Sequence, residues 1–182
     1  MNCQSLTVIN LKLHTQSDKK NLAEYILLAL FGVLMYVSQV LMSQLPNIEI
    51  VSLLIILTAR KFGYKSLASV YVFVGLEILT YGISLWVINY LYVWAIWCFV
   101  ICIFRKIDNV WFYTVLSSFF GILFGTLCSI PYFISGGFGF GISYIISGLR
   151  FDILHCIGNL VLTLILYKPL TQALNRALKP HN

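Results

Sequence analysis

The feature that most constrains this chain is a succession of long apolar runs, separated by short polar segments, filling the sequence from residue 23 to residue 167. An apolar run of about 20 residues crosses a bilayer as a helix, which satisfies every backbone polar group internally. With 60% hydrophobic residues, 10% charged residues and a mean hydropathy of +0.90, the composition lies outside that of soluble domains. The expected fold is an all-α integral membrane protein: a polar segment over residues 1–20, then a single compact bundle of six transmembrane helices over 21–182.

The runs place the spans at 23–42, 48–61, 66–83, 85–104, 110–130 and 142–167. Leu6, Val8, Ile9, Leu11 and Leu13 make the first segment either a membrane-surface helix or a tail. No short apolar core with a small-residue cleavage site precedes the first span, so that span is expected to be retained. A tight hairpin is expected at Leu45-Pro46-Asn47, because proline removes a donor and disfavours helix before it. The second span is short for a crossing. Ser117, Gly121, Gly125 and Ser129 form a small-residue face suited to close helix approach. The glycine-rich stretch 135–141 is expected to be a mobile loop of the kind that acts as a lid.

The net charge of +6 raises the question of nucleic acid, but the basic residues sit in clusters between spans, without a basic stripe or a recognition motif. Those clusters read as topology signals. Alternating spans put Lys12, Lys19, Lys20, Arg60, Lys61, Lys65, Arg105, Lys106, Lys168, Arg176 and Lys179 on one side, which the positive-inside rule makes cytoplasmic, with both termini. Arg150 alone is left over.

Polar residues that topology does not explain gather toward the outer half: Asn47, Glu49, Glu77, Tyr81, Asn89, Arg150, Asp152, His155 and Asn159. An ionisable group in a span faces a partner, a cavity or a solute path. Asp152, His155 and Asn159 share one helical face, and Arg150 points elsewhere, toward Glu49 or Glu77 as a buried partner. Trp86, Tyr90, Trp94 and Trp97 form an aromatic stripe too deep for an interfacial belt. Two readings stand: a solute pocket with an aromatic wall, or charges neutralising one another as helix glue.

No catalytic residue is assigned. The chain lacks His-Glu-x-x-His, Gly-x-Ser-x-Gly and Walker A sequences; an Asp152/His155 dyad with Cys156 or Ser147 is the one conceivable constellation. The five cysteines imply no disulfide framework, and Cys98 and Cys102, at helical spacing, read as packing rather than as metal ligands. No metal or cofactor is expected.

Taken as a set, the run Leu45-Pro-Asn-Ile-Glu-Ile-Val-Ser-Leu-Leu54, Trp86-Val-Ile-Asn-Tyr-Leu-Tyr-Val-Trp94, Gly125-Thr-Leu-Cys-Ser-Ile-Pro-Tyr132 and Phe151-Asp-Ile-Leu-His-Cys-Ile-Gly-Asn159 resembles the substrate-binding S components of energy-coupling factor transporters, over about residues 22–175. The resemblance implies a subunit of the bacterial cell membrane that captures a vitamin from outside. It would dock on a membrane coupling protein and two cytoplasmic ATPases, and topple to deliver its load. The binding site is expected among the outer polar residues and the aromatic stripe, at Asn47, Glu49, Glu77, Tyr81, Trp86, Asn89, Tyr90, Trp94, Arg150, Asp152 and His155, and the resemblance implies a docking face at Ala23, Ala29 and Gly32. Within the family the resemblance points to the cobalamin type, whose large, partly apolar ligand the deep aromatic stripe would suit; riboflavin, pantothenate, pyridoxine and a queuosine precursor are the alternatives, and a membrane scaffold protein is the non-transport alternative.

Overall fold

The computed structural model describes the backbone of residues 3–45 and 47–179 and the side chains of residues 21–45 and 47–179. The expected helix stop at Pro46 and the expected membrane-surface contacts of Leu6 to Leu13 lie outside the described residues and side chains. The chain forms α1 (Cys3–Leu41), α2 (Val51–Phe62), a 3-10 turn (Gly63–Ser66), α3 (Leu67–Tyr81), α4 (Leu85–Phe104), α5 (Val110–Cys128) and α6 (Ile130–Ala177). No strand occurs among the described residues.

Each break has a local cause. Gly63 and Gly82, at φ 62° and 74°, take the left-handed backbone that ends α2 and α3 at no steric cost. Asn47 does the same at φ 54° in the turn before α2, where its short polar side chain tolerates that region. Asn109 starts α5 by accepting hydrogen bonds from the backbone N–H groups of Trp111 and Phe112 at 2.8 and 3.3 Å.

Five stretches are long and apolar enough to cross a membrane: Asn21–Leu41, Val51–Tyr81, Leu85–Phe104, Val110–Cys128 and Ile130–Ala177. By itself α2, with 12 residues, is too short, so α2 and α3 form one such stretch. Cross-helix pairs nonetheless give the directions of all six helices. Tyr36 meets Thr80 while Glu24 meets Lys65, so α1 and α3 run alike. Asn159 meets Ser52 while Tyr167 meets Arg60, so α2 and α6 run alike. Phe73 packs on Trp94, and Tyr81 on Trp86, which makes α3 and α4 antiparallel. Tyr92 reaches the Leu127 carbonyl and Tyr113 that of Phe104, so α4 and α5 are antiparallel. Gly125 meets Asp152 and Ser117 meets Thr163, so α5 and α6 are antiparallel too. Successive helices therefore alternate in direction.

Burial is distributed as lipid demands rather than as water does. Leu79, Ile83, Ile134 and Val115 are exposed, whereas Ser52, Thr58, Ser69, Thr114, Ser117 and Thr163 are buried. Exposed apolar surface of this extent needs a hydrocarbon neighbour, and the inward polar groups hold the helices to each other.

The small-residue face of α5 lies against α6. A Cβ on Gly121 would stand 2.8 Å from the Cys156 nitrogen, and one on Gly125 would overlap the Asp152 carboxylate. Ser117 Oγ and Thr163 Oγ1 are 2.9 Å apart. Close backbone approach is thus what the repeat provides.

The stretch 135–141 departs from expectation: it is helical, as part of α6, and broken only at Gly137 (φ 76°, ψ −174°). Two of its glycines, Gly136 and Gly141, leave room for aromatic rings, while Gly137 and Gly139 face open space. A Cβ on Gly136 would overlap Phe140 and one on Gly141 would overlap Phe133, while Tyr132 and Tyr144 stack at 4.0 Å. In apolar surroundings the backbone has no partner but its own helix, which outweighs glycine's poor propensity.

Gly32 also departs from its expected role. It is buried, and a Cβ there would stand 2.6 Å from the Ser69 carbonyl oxygen and 2.7 Å from Val72 Cβ, so it seats α1 on α3 rather than facing outward. Ala29 is half-buried, and Ala23 is exposed.

Candidate functional site

The two ends of the bundle differ in chemistry. At the end where α2 passes into α3, Arg60 bonds Tyr167 and pairs with Asp108 at 3.0 Å, Lys61 donates to Asn175, Lys65 pairs with Glu24, and Arg105 lies against Gly63. The opposite end holds a cavity of about 350 Å³, framed by the last turns of α1 and α3, the turn before α2, the start of α4, and facing residues of α5 and α6.

The aromatic wall follows from the spacing on α4. Trp86, Tyr90 and Trp94 form an edge-to-face ladder at 5.3 and 5.5 Å, which Tyr81 of α3 extends to Trp86 at 5.6 Å. Such geometry is favourable for ring quadrupoles. Trp86 and Tyr81 are exposed at the mouth, whereas Trp94 is buried at the floor. Trp97, next on the stripe, does not line the cavity. It stacks on Phe120 at 4.4 Å and donates its indole N–H to the Ser52 carbonyl at 3.0 Å, fixing α4 to α2.

Glu49 sits at the head of α2, where it accepts from the Ser52 backbone N–H at 2.8 Å and from the Ser52 hydroxyl. A carboxylate at a helix N-terminus is favourable through both the free N–H groups and the dipole. His155 Nε2 of α6 lies 3.0 Å from Glu49 Oε1, so the pair ties α6 to the start of α2. Asn159, one turn on, donates to Ser52 Oγ and to the Ser117 carbonyl.

Three polar groups on the lining residues have no hydrogen-bond partner among the described residues: both carboxyl oxygens of Glu77, the indole N–H of Trp94 and Nδ1 of His155. Glu77 is 0% exposed, Trp94 1% and His155 2%. Buried polar groups in folded proteins are paired as a rule, so three orphans around one cavity point to a molecule that completes them.

Of the residues singled out in the sequence, Asn47, Glu49, Glu77, Tyr81, Trp86, Tyr90, Trp94 and His155 line this cavity. Asn89 does not: it is buried behind the wall, accepting from Tyr92 OH at 3.0 Å. Asp152 does not either; its carboxylate accepts from the Gly125 N–H at 2.9 Å and faces an adjoining depression that shares Asn47 and Phe124 with the cavity. Arg150 lines that same depression. It is exposed, lies 4.9 Å over the Phe151 ring and pairs with neither Glu49 nor Glu77, contrary to the buried ion pair expected of it. The cavity also includes Gln39, which donates to Tyr90 OH at 3.0 Å, and Phe124, whose ring stands 4.8 Å from that of His155. Nothing in the sequence marks Phe124 among thirteen phenylalanines, but Gln39, an amide in an apolar run, is a readable signal.

The Asp152/His155 constellation is not assembled: His155 bonds Glu49, and Ser147 donates to the Tyr144 carbonyl. No group of three or more His, Cys, Asp or Glu side chains placed for a metal ion occurs among the described residues. Among the described residues the chain is all-helical, with five stretches long and apolar enough to cross a membrane and an aromatic-walled cavity at one end. Comparison with protein-family models, with curated proteins and with solved structures finds no match.

Proposed function

We propose that this chain is the solute-binding subunit of an importer of the energy-coupling factor type, which takes a vitamin-class molecule from the outer face and depends on a membrane coupling protein and ATPase partners for energy. The observation that carries the reading is the cavity: about 350 Å³, walled by aromatics, with three orphaned polar groups, at the end opposite the paired basic side chains. Six alternating helices with the basic end cytoplasmic would open that cavity to the outside. The cavity by itself suits a ligand of one or two rings; a corrinoid with its side chains would have to extend into the adjoining depression that shares Asn47 and Phe124.

The test is affinity purification of the chain co-expressed with candidate coupling and ATPase subunits, together with vitamin binding by wild type and Trp94→Ala. A stable complex, and micromolar or tighter binding weakened by Trp94→Ala, is expected. A chain that recruits no such partners and binds no vitamin would instead be a scaffold whose polar residues only hold helices together.

A further inference from the structure

Resting on the reading of this cavity as a solute site, we infer that its ligand is a compact organic cation that also carries a hydrogen-bond acceptor. Two carboxylates line the cavity, and no Lys or Arg does among the described residues. They are not equivalent. Glu49 is matched by His155 Nε2 and by the Ser52 N–H and hydroxyl. Glu77 has both oxygens buried without a partner.

An anion entering here would meet two carboxylates and, among the described residues, no Lys or Arg on the lining. An uncharged molecule would leave the Glu77 carboxyl either uncompensated or holding a proton, and in neither form would it draw on the attraction a carboxylate offers. A cation supplies the counter-charge, and the ladder of Tyr81, Trp86, Tyr90 and Trp94 adds attraction through the ring quadrupoles. The orphaned Trp94 indole N–H can only donate, so it requires an acceptor on the same ligand, such as a hydroxyl or a ring nitrogen. Gln39, with its amide committed to Tyr90, keeps the wall in place.

The test is a titration of the full chain in detergent, read by tryptophan fluorescence and calorimetry. The probes are choline and benzyltrimethylammonium as permanent cations, 3,3-dimethylbutan-1-ol as the uncharged isostere of choline, and riboflavin and pantothenate as neutral and anionic vitamins. Choline is expected to bind at least about tenfold more tightly than its isostere, and Glu77→Gln to remove most of that preference. An isostere that binds as well as choline, or a folded Glu77→Gln protein that keeps the preference, would overturn the inference. Binding of riboflavin or pantothenate without the cations would overturn the charge assignment and leave the uptake reading standing. Binding of none of the five would overturn the cation assignment, and the uptake reading is overturned only if pyridoxine and a queuosine precursor fail to bind as well.

Discussion

Replacing Gly121 by alanine tests whether the α5–α6 contact is as close as the cavity requires. The new Cβ would lie 2.8 Å from both the Cys156 nitrogen and the His155 carbonyl carbon, whereas ordinary contact begins at 3.4 Å. Those are backbone atoms and cannot rotate away, so α6 must withdraw by about 0.6 Å, the kind of overpacking that costs about 1–3 kcal/mol. Alanine regains about 1 kcal/mol over glycine in a helix interior, leaving a net loss of up to about 2 kcal/mol. Gly75 in α3 is the control, because a Cβ there meets nothing within 4 Å and the helix gain stands alone. The two variants differ by the overpacking cost of about 1–3 kcal/mol, so at about 2–4 °C per kcal/mol for a chain of this size Gly75→Ala is expected to melt about 2–12 °C above Gly121→Ala. Unfolding can be followed at a fixed scan rate with a thiol-reactive dye, since Cys98, Cys102 and Cys128 are buried and free. A Gly121→Ala protein melting at or above Gly75→Ala would refute the close approach. It would also remove the reason for His155 to reach Glu49.

Further consequences are specific to single contacts. His155→Ala removes one of three hydrogen-bond partners of the buried Glu49 carboxylate and is expected to cost about 1.5–3 kcal/mol, while the double change with Glu49→Gln recovers part of the loss; additive melting shifts across the cycle would contradict the pairing. Trp97→Phe removes the bond to the Ser52 carbonyl but keeps the ring stacked on Phe120, so a loss of about 1 kcal/mol is expected with ligand binding unchanged; weakened binding at full stability would place Trp97 in the cavity. Gly137→Ala forces a side chain into φ 76°, ψ −174°, and should lower stability by about 1–3 kcal/mol although open space surrounds the site; a neutral result would argue against that break in α6.

Hydropathy made the helices legible because a lipid-facing helix must be apolar over its whole length, and α4 spans the residues its apolar run predicts. The cavity wall was legible for a related reason: Trp86, Tyr90 and Trp94 repeat at helical spacing, and a stripe that deep has to face protein or ligand. The helix over 135–141 is hidden in the sequence because glycine marks loops in water, whereas in apolar surroundings the backbone stays helical and Gly136 and Gly141 make room for the rings of Phe140 and Phe133. Helical spacing sets Asp152 on the face of His155 and turns Arg150 away from it, but only the register of α6 against α5 decides that Arg150 lies exposed over Phe151 and that Asp152 is held by the Gly125 N–H. Gly32 belongs with them: a small residue on a helix looks the same in sequence whether its neighbour is a partner protein or, as here, α3.

The central claim is that the cavity at the non-basic end holds a small molecule. Purifying the chain from cells grown in rich medium, extracting it and identifying released compounds by mass spectrometry tests this most directly. A compact compound of one or two rings, present in wild type and depleted in Trp94→Ala of equal stability, is the result predicted. A wild-type extract with no compound beyond detergent and lipid, and no gain in melting temperature from any vitamin added back, would contradict it.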